Sequence, residues 1–299
     1  ILFAAIAAII LYFKFGNTES NKGMDPRGFS ISKTGTYGTA GWMTEKEMKE
    51  VFEFSTPDKA EGMILGERKG KVVCLPKDTR LNRHTTVFGA SGTMKSRAVI
   101  RNMIFQCIKR GESVLVSDPK SELYNDCSEL FRQNGYEVKV FNLVDPKHSD
   151  TWNCMADISD DTLMAQVLTN VIIGNTSQGK GDHFWDNGET NLLKAIVLYV
   201  AYDDARTPDQ KNLWEVYQML INTSEKQLAE MFKRLPLGHP AQAPYRLYEQ
   251  ASDNVRSGIL LGLGTRLQVL QNLEVARLIS GNDIDLTAPG SKKCAYFII

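Results

Sequence analysis

The stretch that most constrains the fold is His84-Thr-Thr-Val-Phe-Gly-Ala-Ser-Gly-Thr-Met-Lys-Ser96. A short β-branched run leads into a glycine-containing turn that ends in Lys95 and Ser96, and an amphipathic segment with helical spacing follows. This order of strand, turn and helix is what a phosphate-binding loop requires, because backbone N–H groups and the positive helix end meet the anion there. In such a loop the lysine reaches the β- and γ-phosphates, and the serine hydroxyl binds Mg²⁺.

The loop departs from the pattern G-x-x-x-x-G-K-[ST] at one position, because Met94 stands where glycine is expected. Gly89 and Gly92 keep two conformationally permissive positions, and the alternative is an ordinary strand-to-helix turn. We predict Lys95 as a catalytic cation and Ser96 as the Mg²⁺ ligand. The predicted ATP-binding residues are Gly89, Ala90, Ser91, Gly92, Thr93, Met94, Lys95 and Ser96.

The segments after the loop predict an α/β domain with a parallel sheet. A strand over 113–117 ends at Asp118, a helix follows around 123–133, and a third strand runs over 137–144. Ligands of such sheets bind outside the carboxyl ends of the strands, where both the loop and Asp118 fall. We predict a second catalytic role for Asp118, holding a metal-bound water; the alternative is that it caps the next helix.

Charge and cysteine content limit the other function classes. The 299-residue chain has a formal net charge of zero, so any contact with nucleic acid must be a local patch or lie outside this chain. The four histidines show no metal-ligand spacing, and we predict no structural metal site. The chain has five scattered cysteines: Cys74, Cys107, Cys127, Cys154 and Cys294. They form no C-x-x-C pair, which predicts free thiols in a reducing compartment.

The first thirteen residues are wholly apolar and are followed by Lys14. As a helix they would extend about 20 Å, short of a hydrocarbon core of roughly 30 Å. Two alternatives fit this segment less well. A signal peptide would have a charged region before its apolar core and a cleavage motif after it, and a buried helix would carry a polar stripe. We therefore expect the C-terminal part of a membrane anchor. Lys14 and Lys22 favour a cytoplasmic continuation, which places the protein at the cell membrane with its soluble domain in the cytoplasm.

The remaining segments predict a helical lobe inserted into the α/β domain. A capping box begins a helix at Thr44, a hairpin covers 62–75, helical periods fill 160–235, and one long helix runs over 244–270. A strand begins at Lys293. The predicted organisation is a partial transmembrane anchor (1–14), a linker (15–40), the first part of the nucleotide-binding domain (41–150), an all-α domain (151–240) and a truncated second part (241–299).

Three blocks resemble the core of type IV secretion coupling proteins, the TraG-like DNA-transfer ATPases of conjugation: Gly89–Ser96, Val114–Leu123 and Gly135–Leu143. Four further segments are similar to that family: His148–Asn153, Phe184-Trp185, Asn191–Leu193 and Arg256–Leu260. The Asp118-Pro-Lys-Ser-Glu-Leu123 block is more specific than the loop. The similarity extends in order from about Gly35 to the end of the chain.

The resemblance implies a RecA-like P-loop NTPase with an inserted all-α domain and an N-terminal transmembrane helix. It implies ATP and Mg²⁺ as cofactors and a homo-hexamer as the working form. Its expected partners are DNA or a relaxase nucleoprotein, the type IV secretion channel, and the membrane.

The chain also departs from the family pattern. Ser121 replaces the glycine often found after Asp-Pro-Lys, and the Asp-Glu pair of the Walker B strand is expected beyond Ile299. We therefore expect an ATPase whose hydrolytic site is incomplete within this chain, and we assign no arginine finger. Two functions stay open: a motor ATPase that couples hydrolysis to DNA passage, and a non-hydrolysing nucleotide-dependent adaptor that docks substrate at the channel. A soluble P-loop protein is a more distant alternative.

Overall fold

The computed structural model describes residues 41–158, 161–177 and 183–299. The predicted anchor and linker lie outside these residues. The chain divides into two compact units, Ile1–Phe54 and Ser55–Ile299. Helix α1 (Glu45–Val51) begins at the predicted capping box, in which Thr44 N–H donates to the Glu47 carboxylate at 2.7 Å. Across the described ranges, no helix combines the length and apolar character that a membrane crossing needs.

The predicted hairpin is confirmed in the second unit. After the short strand β1 (Glu53–Ser55), strands β2 (Met63–Arg68) and β3 (Lys71–Leu75) pair antiparallel. Lys69 and Gly70 connect them with φ values of +51° and +76°. Two successive positive φ values match the tight turn whose twist suits a two-residue hairpin connection.

A three-stranded parallel sheet organises the α/β part. Strand β6 (Cys294–Ile298) lies between β4 (Val114–Ser117) and β5 (Glu137–Phe141) and pairs parallel with both. The first four residues of β6 are buried, as expected for a central strand covered on both faces. The core against this sheet comprises Ile104, Leu123, Cys127, Phe131, Tyr136, Ala295 and Phe297.

Two helices flank the sheet. A π-helical turn (Ser96–Ile100) continues into α2 (Arg101–Arg110), and α3 (Glu122–Gln133) connects β4 to β5. The predicted strand over Thr85–Phe88 is not formed, because a strand needs a hydrogen-bonded neighbour and no described strand pairs with this segment. Short 3₁₀ helices lie at Pro146–His148, Pro208–Gln210, Gln268–Gln271 and Ala288–Gly290.

Seven helices follow in the described part of the chain: α4 (Thr162–Thr176), α5 (His183–Ala201), α6 (Leu213–Asn222), α7 (Glu225–Lys233), α8 (Gln242–Glu249), α9 (Asp253–Arg266) and α10 (Leu273–Leu278). Helix α5 is at the centre of their packing. It buries Leu192, Leu193, Ile196, Val197 and Val200, the residues that the helical spacing predicts to face inward. The predicted all-helical lobe is therefore present.

Two details of this lobe differ from the prediction. The single helix predicted over 244–270 is two helices, because the chain turns at Gln250–Ser252 and Arg256 donates to the carbonyls of Glu249 and Ala251 at 3.2 and 2.6 Å. The sequence pattern predicts a cap at Thr223 for α7, whereas Ser224, the next residue, caps this helix. Helices α8 and α9 also bury Tyr245 and Leu263 in the same core as α5.

Candidate nucleotide site

The predicted loop closes around the ammonium group of Lys95. Its Nζ donates to the carbonyl oxygens of Gly89 at 2.7 Å and Ala90 at 2.8 Å. The Thr93 hydroxyl donates to the same Ala90 carbonyl at 2.8 Å. A Cβ on Gly89 would lie 2.6 Å from Thr93 Oγ1 and 3.2 Å from the Lys95 stem, so only glycine allows the loop to approach this closely.

The backbone conformation explains why phosphate loops carry glycine where this chain has Met94. Met94 has φ of +62°, in the left-handed region, and Gly92 has φ of +80°. Ser121, the other position at which the chain departs from the family pattern, has φ of +59°. Both substitutions therefore keep the backbone that glycine favours, at a cost of about 1 kcal/mol each or somewhat more.

The start of the helix after the loop offers free donors. The backbone N–H groups of Met94, Lys95 and Ser96 donate to no partner within the described ranges. Unpaired N–H groups at a helix start, together with a nearby ammonium, suit a phosphate chemically. Ser96 is exposed, so its hydroxyl is accessible to a metal ion bound with that phosphate.

Asp118 follows β4 and is 5% exposed. Its Oδ2 accepts from the N–H groups of Leu123 at 2.8 Å and Tyr124 at 2.9 Å, so this carboxylate caps α3. The contacts of Asp118 are therefore those of a helix cap, which was the alternative role that the sequence left open. The other oxygen accepts no hydrogen bond from the described residues, and a role in holding a metal-bound water stays a prediction.

Two of the family-like segments meet where α5 crosses α9. A Cβ on Gly258 would lie 2.8 Å from the Trp185 ring, and one on Gly188 would lie 2.5 Å from Ile259. Arg256 is held by ion pairs with Glu225 and, at 2.8 Å, with Asp253. These residues define the packing of the helical lobe, and the guanidinium of Arg256 is engaged within its own chain.

Sequence reasoning missed a partly buried ion-pair cluster in the same lobe. Arg266 pairs with Glu189 at 2.5 Å and Asp186 at 2.6 Å and also donates to Thr176 and Ser177, both at 3.1 Å. Burial raises the pKa of the Glu189 carboxyl, and the charge of Arg266 opposes that rise. Only the i, i+3 spacing of the two acids signalled this cluster, and no sequence feature identified their partner. Because Arg266 is engaged here, it too serves the fold.

The His148–Asn153 segment holds the return of the chain toward β6. Asp283 Oδ2 accepts from the N–H of Thr151 at 3.0 Å and from its hydroxyl at 2.6 Å. These hydrogen bonds lower the pKa of the Asp283 carboxyl below its ordinary value of 3.8. All five cysteines are free, as predicted, and no cluster of three metal-binding side chains occurs in the described ranges.

The fold and these segments define an α/β protein with a parallel sheet and a helical lobe, which confirms the predicted fold class at that level. The family "Type IV secretory system Conjugative DNA transfer" matches residues 31–299, and the chain belongs to this family of type IV coupling proteins. Comparison with curated protein sequences found no significant match.

Solved structures share the fold, among them a conjugative coupling protein. The bacterial conjugative coupling protein TrwBdeltaN70, in a trigonal form in complex with sulphate, is 17% identical with a TM-score of 0.56. The match covers 85% of this chain and 53% of that chain, so the chain spans about half the length of this relative. At this identity the likeness concerns the fold alone.

Proposed function

We propose that this protein is a membrane-anchored ATPase that recruits DNA or a relaxase-bound DNA and helps to pass it into a type IV secretion channel. The observation that carries the proposal is the Lys95 ammonium held in the 89–96 loop beside three free backbone N–H groups. Membership of the DNA-transfer family supports the choice of substrate.

In this proposal Gly89–Ser96 binds the phosphates of ATP. Lys95 neutralises charge on the β- and γ-phosphates after leaving the Gly89 and Ala90 carbonyls, and the N–H groups of Met94, Lys95 and Ser96 orient the same oxygens. Ser96 holds the Mg²⁺ that, when bound, spreads the charge of the transferring phosphoryl group. Asp118 keeps α3 in place at the carboxyl end of β4, where it has one oxygen left for a metal-bound water.

The placement of the whole protein is part of the same proposal. The apolar segment of residues 1–14 supports a membrane anchor, and the lysines after it support a cytoplasmic soluble part. The family supports a homo-hexamer that works with the secretion channel. A non-hydrolysing adaptor that docks substrate at the channel is the second candidate, because the Met94 side chain stands at the position where phosphate loops carry glycine.

Steady-state ATP hydrolysis by the whole membrane-bound protein, with and without DNA, tests the proposal. We expect hydrolysis that DNA stimulates and that Lys95→Ala reduces at least about a hundredfold, because a phosphate-binding cation is lost from the transition state. Equal, slow hydrolysis by both proteins would contradict the motor and favour the adaptor. Lys226→Ala, which changes an exposed lysine of α7 outside both the loop and the Asp118 segment, is the matched control.

A further inference from the structure

A cavity of about 520 Å³ lies at the other end of the helix that begins at the loop. Six residues line it, all of them charged: Glu61, Lys77, Arg83, Lys109, Arg110 and Glu112. Four cations against two carboxylates leave a net charge of +2. Ser96 and Arg110 are separated by about 20 Å along the helix axis, so this cavity is distinct from the nucleotide site.

Hydrogen bonds and ion pairs hold the cations of the cavity in place. Lys109 donates to the carbonyls of Asp58 and Ala60, both at 2.8 Å, which fixes the end of α2 to the segment before β2. Glu112 bridges two arginines, accepting from Arg83 at 3.1 Å and from Arg110 at 2.7 Å. One carboxylate therefore serves two guanidinium groups, and their combined charge stays positive.

The hydrogen bonding of Arg110 is incomplete. Its Nε is buried and has no hydrogen-bond partner in the described part of the chain, whereas its Nη1 donates to the Glu61 carbonyl at 3.0 Å. The C-terminal end of α2 adds a partial negative charge, which Lys109 and Arg110 offset. An anion with several oxygens, presented to two guanidinium groups, is the ligand that such donors recognise best.

The lining also indicates the kind of anion. Among the described residues, no aromatic or apolar side chain lines the cavity, so it lacks the aromatic surface on which bases usually stack. Contacts to phosphates alone hold nucleic acid without reading its sequence. Since the chain has no net charge, a local basic patch of this kind is the feature that contact with DNA requires.

We propose that this basic cavity binds a backbone phosphate of the DNA that the protein transfers. The identity of the DNA rests on the proposed function, whereas the anion site rests on the cavity itself. Lys77 and Arg83 supply the accessible charges, and Arg110 supplies a buried one. A free phosphate or the phosphates of a nucleotide share this chemistry, and the experiment separates them from DNA.

The test measures binding of a single-stranded oligodeoxythymidine of about 20 nucleotides to the 299-residue chain between about 50 and 200 mM salt. Lys77→Gln and Arg83→Gln are each expected to weaken binding about three- to tenfold and to lower the salt slope by about one. Glu61→Gln, which removes the carboxylate 2.5 Å from Lys77, is expected to tighten binding. A gain of affinity cannot come from misfolding.

Lys292→Gln is the matched control, because Lys292 pairs with Glu137 at 2.5 Å and is as exposed as Lys77 but lies outside the cavity. Unchanged DNA binding in all three cavity variants would overturn the proposal and leave the proposed function standing. If the cavity variants lost binding of inorganic phosphate or ATP but kept DNA binding, the proposal would also be overturned, in favour of a site for small anions. A wild-type chain that binds no DNA at all would overturn the proposed DNA contact of this cavity, whereas the proposed function would still be decided by hydrolysis in the whole protein.

Discussion

The Lys95 ammonium donates to the Gly89 carbonyl at 2.7 Å, across the turn that joins the two residues. The lysine is thus aimed at the centre of its own loop, and the free N–H groups of the following helix start point to the same anion chemistry. A bound phosphate would replace the two carbonyls as the partner of the ammonium. In the proposed function, nucleotide binding would therefore exchange internal hydrogen bonds for contacts with the ligand.

Met94→Gly is expected to stabilise the protein by up to about 1 kcal/mol. The left-handed backbone at φ +62° disfavours a residue with a Cβ, although the greater freedom of glycine in the unfolded chain offsets part of the gain. Nucleotide affinity should change less than about twofold, because the loop already has this conformation. Thermal unfolding and titration with an ATP analogue measure the two effects.

Met94→Ala is the control for that substitution, since it shortens the side chain and keeps the Cβ. We expect no gain in stability from it. A large rise in nucleotide affinity in both variants would show instead that the methionine side chain obstructs the phosphate, and the adaptor would then be the better account.

Asp118→Ala is expected to cost about 1–2 kcal/mol of unfolding free energy, because two N–H groups of α3 lose their acceptor. Asp118→Asn retains an acceptor oxygen and should recover most of that loss. Chemical denaturation of the three proteins provides the comparison. If alanine and asparagine destabilised the protein equally, the carboxylate charge and not the cap would be what α3 needs.

Two glycines of α9 are predicted to affect stability in opposite directions when each is replaced by alanine. Gly258→Ala would bring a Cβ within 2.8 Å of the Trp185 ring, so we expect a loss of about 1–3 kcal/mol. Gly264→Ala meets nothing within 4 Å and should gain up to about 1 kcal/mol from helix propensity. Melting temperatures of the two variants should shift in opposite directions. A similar shift in both would contradict the close crossing of α5 and α9.

Thr151→Val tests the pH dependence that Asp283 contributes. The pKa of this carboxyl is lowered in the folded protein, mainly by the Thr151 hydroxyl, so its stabilising effect is present above the ordinary value of 3.8 and is lost as the pH falls through the folded pKa. We expect the variant to be about 0.5–1 kcal/mol less stable at neutral pH, with a difference that shrinks under acid conditions. A constant difference from pH 7 into the acid range would contradict this assignment.

Local patterns in the sequence predicted the parts of the fold that depend on neighbours in the chain. The capping box at Thr44, the hairpin turn at Gly70 and the inward face of α5 follow from such patterns, and the structure has each of them. The loop was found from spacing, and the backbone at Met94 now explains why one of its positions normally holds glycine.

Contacts between distant residues could not be predicted in this way. The break between α8 and α9 depends on Arg256 reaching the carbonyl of Ala251, and continuous helical spacing concealed it. The partners of Arg266 lie about eighty residues away on α5, and no local pattern pairs them. The strand predicted before the loop failed for a related reason, because strand formation depends on a neighbouring strand that local propensity does not reveal.

Calorimetric titration of the 299-residue chain with a non-hydrolysable ATP analogue and Mg²⁺ tests the central claim most directly, with Lys95→Ala as the comparison. The structure predicts saturable binding to the wild type at one site per chain. It predicts affinity at least about tenfold weaker in Lys95→Ala, with an unchanged melting temperature in the absence of ligand. Equal affinity in the two proteins, or no binding by the wild type at saturating analogue, would contradict the account.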